Sequence, residues 1–174
     1  HIHIRGQVRN KGPKVPRGFI TVAMKPDASA NIPADHSGRL ELAHWIAGPE
    51  NPLTARVMAN RIWKYLLGEG IVRTVDNLGQ TGELPSHPEL LDHLALRFIE
   101  NGWSVKTLIR EITLSRTYQL SSQTTHNRDP ANRLFSHANR KRLEAEAIRD
   151  SILAVSGLLD RTMGGSMLPV KNRE

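Results

Sequence analysis

Residues 82–95, GELPSHPELLDHLA, place His87, His93, Glu83, Glu89 and Asp92 within a dozen positions. Imidazoles and carboxylates at such density could bind a metal ion or carry out acid/base chemistry. Glu89 and His93 stand at i, i+4, so a helix would put them on one face. A zinc site, however, needs at least three protein ligands, and the sequence offers no obvious third. The same residues also spell a helix start. Ser86 and Glu89 have the S-x-x-E spacing of a capping box, and Leu90, Leu91, Leu94 and Phe98 follow as an apolar stripe. Capping and packing are therefore the preferred reading, with metal binding or acid/base work the alternative.

Other chemistries are bounded by composition. The chain has no cysteine, which excludes thiol catalysis, disulfides, cysteine-ligated zinc and covalent c-type haem attachment, and leaves the redox compartment undecided. MGGSMLP near the end has the glycines of a turn but lacks the lysine and following helix of a phosphate loop. No apolar run approaches the ~20 residues of a membrane-spanning helix. At 174 residues, 39% of them hydrophobic, the chain can bury roughly 70% of its unfolded surface as one domain. A start at His1 with no leader is expected to be a cut or processed end.

The net charge of +7 is unevenly distributed. Residues 1–26 contain Arg5, Arg9, Lys11, Lys14, Arg17 and Lys25 with no acid. Residues 104–142 contain Lys106, Arg110, Arg116, Arg128, Arg133, Arg140, Lys141 and Arg142 against Glu111 and Asp129. The rest of the chain is net negative. A basic arm and a basic middle third could meet polyanions, although charge runs are most often solvated faces.

The elements that must position these residues are mainly helical. HIHIRGQV alternates with a period of two and predicts a strand, whose partner is expected upstream of this chain. Residues 9–36 are too rich in Pro and Gly for helix and predict an extended segment wrapped over the body. A helix is expected over SGRLELAHWIA, with Leu40, Ala43 and Ile46 or Trp45 inward. The next is capped by Asn51, begins with Pro52, buries Ala55, Met58, Ala59, Ile62 and Leu66 between flanking Trp63 and Tyr65, and stops at Gly68. After the helix introduced by Ser86 and Glu89, ENGWS leads to one capped by Ser104, with Val105, Leu108, Ile109 and Ile112 inward. That hairpin resembles a helix-turn-helix, with Lys106, Arg110 and Arg116 on or near its open face, but any helical hairpin has this pattern. Asp129 is expected to cap a short helix opened by Pro130. A final helix over 142–159 should bury Ile148, Ile152, Val155 and Leu159, leaving Glu144 close to the stripe and in need of a partner, and Glu146, Arg149 and Asp150 on the far side. The expected fold is mainly α, a single helical domain of about five to six helices over 37–174 preceded by a strand and extended basic segment over 1–36.

NPLTARVMANRIWKYLLGEGIVRT, DNLGQTGELPSHPELLDHLA, NGWSVKTLIREITLSRTYQLSS and RLEAEAIRDSILAVSGLLDRTMGG resemble successive motifs of the planctomycete-type domain of unknown function 1553. The resemblance extends to IRGQVRNKGPKVPRGF and so to nearly the whole chain. It implies a helical, C-terminal module of a large exported bacterial protein, found beside planctomycete cytochrome c domains, with any haem carried by other domains of the parent and none in this chain. His93 stands where that family usually has tryptophan, and Leu67 and Leu78 where it has phenylalanine. Asn60, Arg61, Asp76, His87, Glu146, Arg149 and Asp150 keep the family's polarity. The resemblance makes these the candidates for a ligand or interface site, beside the structural alternative that they cap and bridge helices.

Three functional readings follow. The favoured one is a noncatalytic scaffold or interaction module that meets other domains of its parent protein outside the cytoplasm, without membrane insertion. The second is binding or processing of an anionic extracellular polysaccharide; hydrolysis would need two carboxylates across a bond, which spacing alone does not establish. The third, nucleic-acid binding through the hairpin, is the least favoured. If His93 is a packing or surface residue, His93→Ala leaves the metal content of purified protein unchanged; elemental analysis finding a stoichiometric metal lost with that substitution would reverse the reading.

Overall fold

A computed structural model describes residues 1–24, 30–123 and 128–162. The chain divides into two compact units, His1–Asn139 and Arg140–Glu174. The sequence pattern, which divides at 36/37, carries no signal for that break. The turn expected of MGGSMLP lies outside the described residues.

The first unit is built on three helices. Helix α2 (Thr54–Leu67) packs against α3 (Pro88–Glu100) and α4 (Val105–Leu114), and α3 packs against α4; α1 (Arg39–Ala47) precedes them. The core joins Ala55, Ala59, Ile62, Trp63 and Leu67 of α2 to Leu91, Leu94, Ala95 and Phe98 of α3 and Leu108 and Ile112 of α4. These positions recur at helical spacing, as the period predicts. Trp63 belongs inside the core rather than beside it, with its ring edge-on to Phe135 at 5.2 Å.

Local chemistry sets the helix ends. The Asn51 amide oxygen accepts from the N–H groups of Leu53 and Thr54 at 2.9 and 3.3 Å, capping the turn that leads into α2. Pro52 lies in that turn, just ahead of the helix. At the other end Gly68, with φ 96°, takes the positive dihedral that stops it. Ser104 caps α4 as expected, accepting from Thr107 N–H at 3.3 Å. Between α3 and α4, Gly102 and Trp103 both adopt left-handed φ, 64° and 60°. Trp103 N–H reaches back to the Phe98 carbonyl, and its ring packs edge-on to Phe98 at 5.3 Å, which offsets the strain of a non-glycine residue in this region. Arg97 clamps the hairpin by bonding Glu111 at 2.6 Å and Glu100 at 3.2 Å.

Several expectations are corrected. Residues 1–8 are not a strand. Arg5 and Gly6, with φ 52° and 72°, turn the chain back on itself, so Ile2 and Ile4 bond Asn10, Gly12 and Pro13, leaving one antiparallel bridge, His3 to Lys11. The pairing that an upstream partner was expected to supply comes from the residues just downstream. In the segment that follows, Arg17 donates to the carbonyls of Pro33 and His36, and Phe19 stacks on Trp45 at 5.0 Å. Helix α1 forms where expected, but Leu40, Ala43 and Ile46 are exposed and Trp45 is half-buried against Phe19. Its apolar residues surround the helix instead of forming a stripe, so no single face can be buried. Val105 is also exposed.

Asp129 caps turns, not a helix. Its carboxylate accepts from Leu134 N–H at 2.7 Å and from Arg133 N–H, while Asn132 and Phe135 take positive φ. Asn132 is buried, and its amide joins Ser136, His137 and Asn139 into a closed polar knot.

The second unit contains one helix, α5 (Ala145–Val155). It is shorter than expected at both ends and buries none of its residues. Ile148, Ile152 and Val155 are exposed, and Leu159, beyond the helix, is half-buried. The expected stripe is therefore uncovered among the described residues. Glu144 stands exposed at the N-cap, away from any buried stripe. Amphipathic spacing marks the face a helix would bury but does not supply the surface that covers it.

The backbone N–H groups of Leu134 and Arg133 hold the Asp129 carboxyl below its ordinary value of 3.8. A depressed folded-state value means that its stabilisation is fully present above that ordinary, unfolded value and is lost as pH falls through the folded one. Urea unfolding of the native chain and Asp129→Asn should therefore differ at about pH 6 to 7 and converge as acidification carries the pH below the lowered value of the folded-state carboxyl. A gap that stays constant with pH would exclude this role for the carboxylate.

Candidate functional site

The chain between α2 and α3 is too long for a simple connection, and long ordered loops are commonly functional. It is organised from within the core. Asn60, on α2, is fully buried; its amide nitrogen donates to the Val72 carbonyl and its oxygen accepts from Val72 N–H, each at 2.9 Å. One side chain thus satisfies both backbone groups of a buried residue, as a neighbouring strand would. Gly70 permits the approach, because an added Cβ would lie 2.4 Å from the Val72 carbonyl oxygen and 3.0 Å from the Asn60 amide oxygen. Ile71, Val72 and Val75 consequently point into the protein.

Beyond Val75 the loop closes on itself. Thr74 hydroxyl donates to the Asn77 carbonyl and accepts from Glu83 N–H. Asn77 bonds Thr81 and Gly79 N–H. Gly82 must lack a side chain, since a Cβ would sit 2.0 Å from the Asn77 carbonyl oxygen. Ser86 then returns to Ile71, whose carbonyl accepts from both its N–H, at 2.9 Å, and its hydroxyl, at 3.2 Å. This overturns the capping box. The Ser86 hydroxyl faces back into the loop, helix α3 starts two residues later with Pro88 in its first turn, and no side chain caps its boundary residue His87. Glu89 remains in the first turn, where its charge complements the helix dipole.

The seven candidate residues divide between the units. Asn60, Arg61, Asp76 and His87 belong to the first; Glu146, Arg149 and Asp150 belong to the second. Arg61 and Asp76 form an ion pair at 2.9 Å that ties α2 to the loop, with both side chains substantially exposed. The His87 ring lies against Phe135 at 5.7 Å, with Nδ1 3.0 Å from the Ser86 hydroxyl. On α5, Arg149 pairs with Asp150 at 3.2 Å and Glu146 occupies the exposed first turn. Asn60, Arg61, Asp76 and His87 all engage the loop or its junctions. They do not converge on one free volume.

Free volume does open beside the loop. A cleft of about 590 Å³ opens between the start of α2, the loop and the start of α3, with walls formed by Leu53, Val72, Leu78, Leu84, Pro85 and Leu91. Arg56 and Asp92, also lining it, pair at 2.7 Å. Glu83, likewise in the lining, pairs with Arg133 at 3.2 Å. Across Leu78 a smaller hollow of about 230 Å³ contains the Arg61–Asp76 pair. The sequence reading missed this cleft. Its signal was the loop's length combined with its apolar and proline content, Ile71, Val72, Val75, Leu78, Leu84 and Pro85, which exceeds what a solvated connection requires. His93 is exposed on α3 and lines none of these hollows. Among the described residues no group of three or more His, Asp or Glu could hold a metal ion.

In the α3–α4 hairpin, Lys106 and Arg110 are exposed on α4, whereas Arg116 lies beyond its end. No helix among the described residues is long and apolar enough to cross a membrane.

A family model described as a protein of unknown function (DUF1553) matches residues 38–174. No curated protein and no solved structure matches the chain.

If Asn60 holds the loop, its removal strands two buried backbone groups, at about 1–3 kcal/mol each. Asn60→Ala should therefore lower unfolding free energy by about 3 kcal/mol or more, and Arg61→Ala, which breaks an exposed pair, by less than about 1 kcal/mol. Urea titration of both variants measures the difference; equal losses would remove Asn60 from its central position.

Proposed function

The chain belongs to the DUF1553 family of proteins of unknown function, and we propose that it is a noncatalytic helical interaction module of a larger exported bacterial protein. In this reading the cleft beside the 68–87 loop receives a neighbouring domain of the parent protein. The exported setting, and the assignment of any haem to other domains, rest on the family resemblance alone.

One observation supports the reading above the others. Of the polar motif residues, Asn60, Arg61 and Asp76 are engaged in holding the loop, together with Ser86, and the cleft beside that loop has apolar walls. Its charged lining residues, Arg56, Asp92 and Glu83, are each closed into an ion pair. A catalytic site gathers a nucleophile, a base or two carboxylates around a reacting atom. A binding surface instead combines an apolar centre with a satisfied polar rim, which is the arrangement here.

The test uses the full chain and separately expressed neighbouring domains of its parent protein, with binding followed by biolayer interferometry. Leu84→Asp should weaken the complex about tenfold or more by placing a charge in the cleft wall, and Lys106→Ala with Arg110→Ala should leave it within about twofold. Turnover of a polysaccharide by the native chain, lost in a folded Glu83→Gln, Asp92→Asn variant, would replace this reading with an enzymatic one.

A further inference from the structure

From the cleft's backbone we infer that its partner is an extended, uncharged apolar peptide segment, which lies along Glu83–Pro85 and inserts alternate side chains between the loop and α3. The inference rests on the interaction-module reading and names the form its partner takes.

The segment has the chemistry of an open strand edge. Leu84 precedes Pro85, and proline disfavours the helical region for the residue before it, so Leu84 is held in extended or polyproline-like backbone. Its N–H and carbonyl make no hydrogen bond with any described residue, although the residues on either side are tied down: Glu83 N–H bonds the Thr74 hydroxyl at 2.9 Å, and Ser86 bonds the Ile71 carbonyl. The side chain of Leu84 is 86% exposed and yet lines the cleft. An extended residue projects its N–H and C=O to the same side, so one added strand can pair with both. The clamps fix that edge in advance, which lowers the ordering cost of binding.

Charge and size define the occupant. Arg56–Asp92 and Glu83–Arg133 are closed pairs of opposite sign, so the cleft complements a segment with little net charge rather than a polyanion. A volume of about 590 Å³ accepts a few side chains, not the long groove that a helix presenting i, i+3, i+4 and i+7 anchors would need. The smaller hollow shares Leu53, Leu78 and Gly79 with the cleft and adds Val57 and Val75 beside the closed Arg61–Asp76 pair.

The experiment pans a phage library of random linear dodecapeptides against the immobilised full chain, then measures the selected peptides, made with blocked termini, by fluorescence anisotropy. Selected sequences should be poor in Asp, Glu, Lys and Arg, with apolar residues two apart. Leu84→Asp and Leu53→Asp, both at exposed positions in the cleft lining and on different elements, should each weaken binding about tenfold or more while circular dichroism and the urea midpoint stay unchanged. N-methylation of one central peptide amide should cause a similar loss, because it removes a backbone donor without changing the side chains. Failure to select any peptide, selection of charged sequences, or binding indifferent to both substitutions and to N-methylation would overturn the inference. A neighbouring folded domain that still binds in a Leu84-dependent way under any of these outcomes would leave the interaction-module reading in place and dismiss only the peptide form of its partner.

Discussion

Two hydrogen bonds from one buried amide, Asn60 to the N–H and carbonyl of Val72, are the constraint on which the rest of this unit depends. Without them a buried stretch of irregular backbone would have no partner, and irregular backbone is stable inside a protein only when its polar groups are satisfied. With them, Ile71, Val72 and Val75 enter the core, the loop turns outward again through Asn77 and Gly82, and Ser86 returns to Ile71 just before α3 begins. The walls of the cleft follow from that path. Gly70 and Gly82 belong to the same solution, since each approaches a backbone carbonyl too closely for any side chain.

Charge in the described part of the first unit serves mainly to join elements. Arg56 ties α2 to α3 through Asp92, Arg61 ties α2 to the loop through Asp76, Arg97 ties α3 to α4 through Glu111, and Arg133 reaches the loop at Glu83. These side chains are mostly half-exposed, so each pair contributes little energy on its own. Their shared effect is on geometry: they fix the two helix starts and the loop that border the cleft and leave its rim nearly neutral. The chain's excess positive charge lies outside this group, in residues such as Lys106, Arg110 and the basic arm.

The helices of the first unit were legible because each carries its own evidence. Apolar spacing located α2, α3 and α4 and most of their buried residues, Ser104 gave the start of α4, Asn51 marked the turn ahead of α2 rather than its first residue, and Gly68 gave one end. Where the reading failed, a nonlocal contact had prevailed over a local pattern. Ser86 and Glu89 have capping-box spacing, but the hydroxyl of Ser86 bonds a carbonyl fifteen positions away. HIHIRGQV alternates like a strand, but positive φ at Arg5 and Gly6 folds it onto residues 10–13. Asn60 was recognisable as a polar motif residue, but only packing reveals that it is the loop's anchor.

By itself, then, the sequence determined that this protein is mainly helical, which faces of α2, α3 and α4 could be buried, and where several helices begin, because periodicity, caps and glycine stops act over a turn or two of chain. Tertiary structure alone decided which faces of the first unit found a surface to cover them: α2, α3 and α4 did, while among the described residues α1, and α5 within its own unit, keep large apolar side chains exposed. It also decided that the polar motif residues of the first unit build a loop and that the loop makes a cleft. The physical reason is that a hydrogen bond or an apolar contact between residues distant in sequence leaves no periodic trace in the chain. Whether Asn60 meets Val72, or Leu84 comes to line one cleft with Leu91, depends on how the whole core closes.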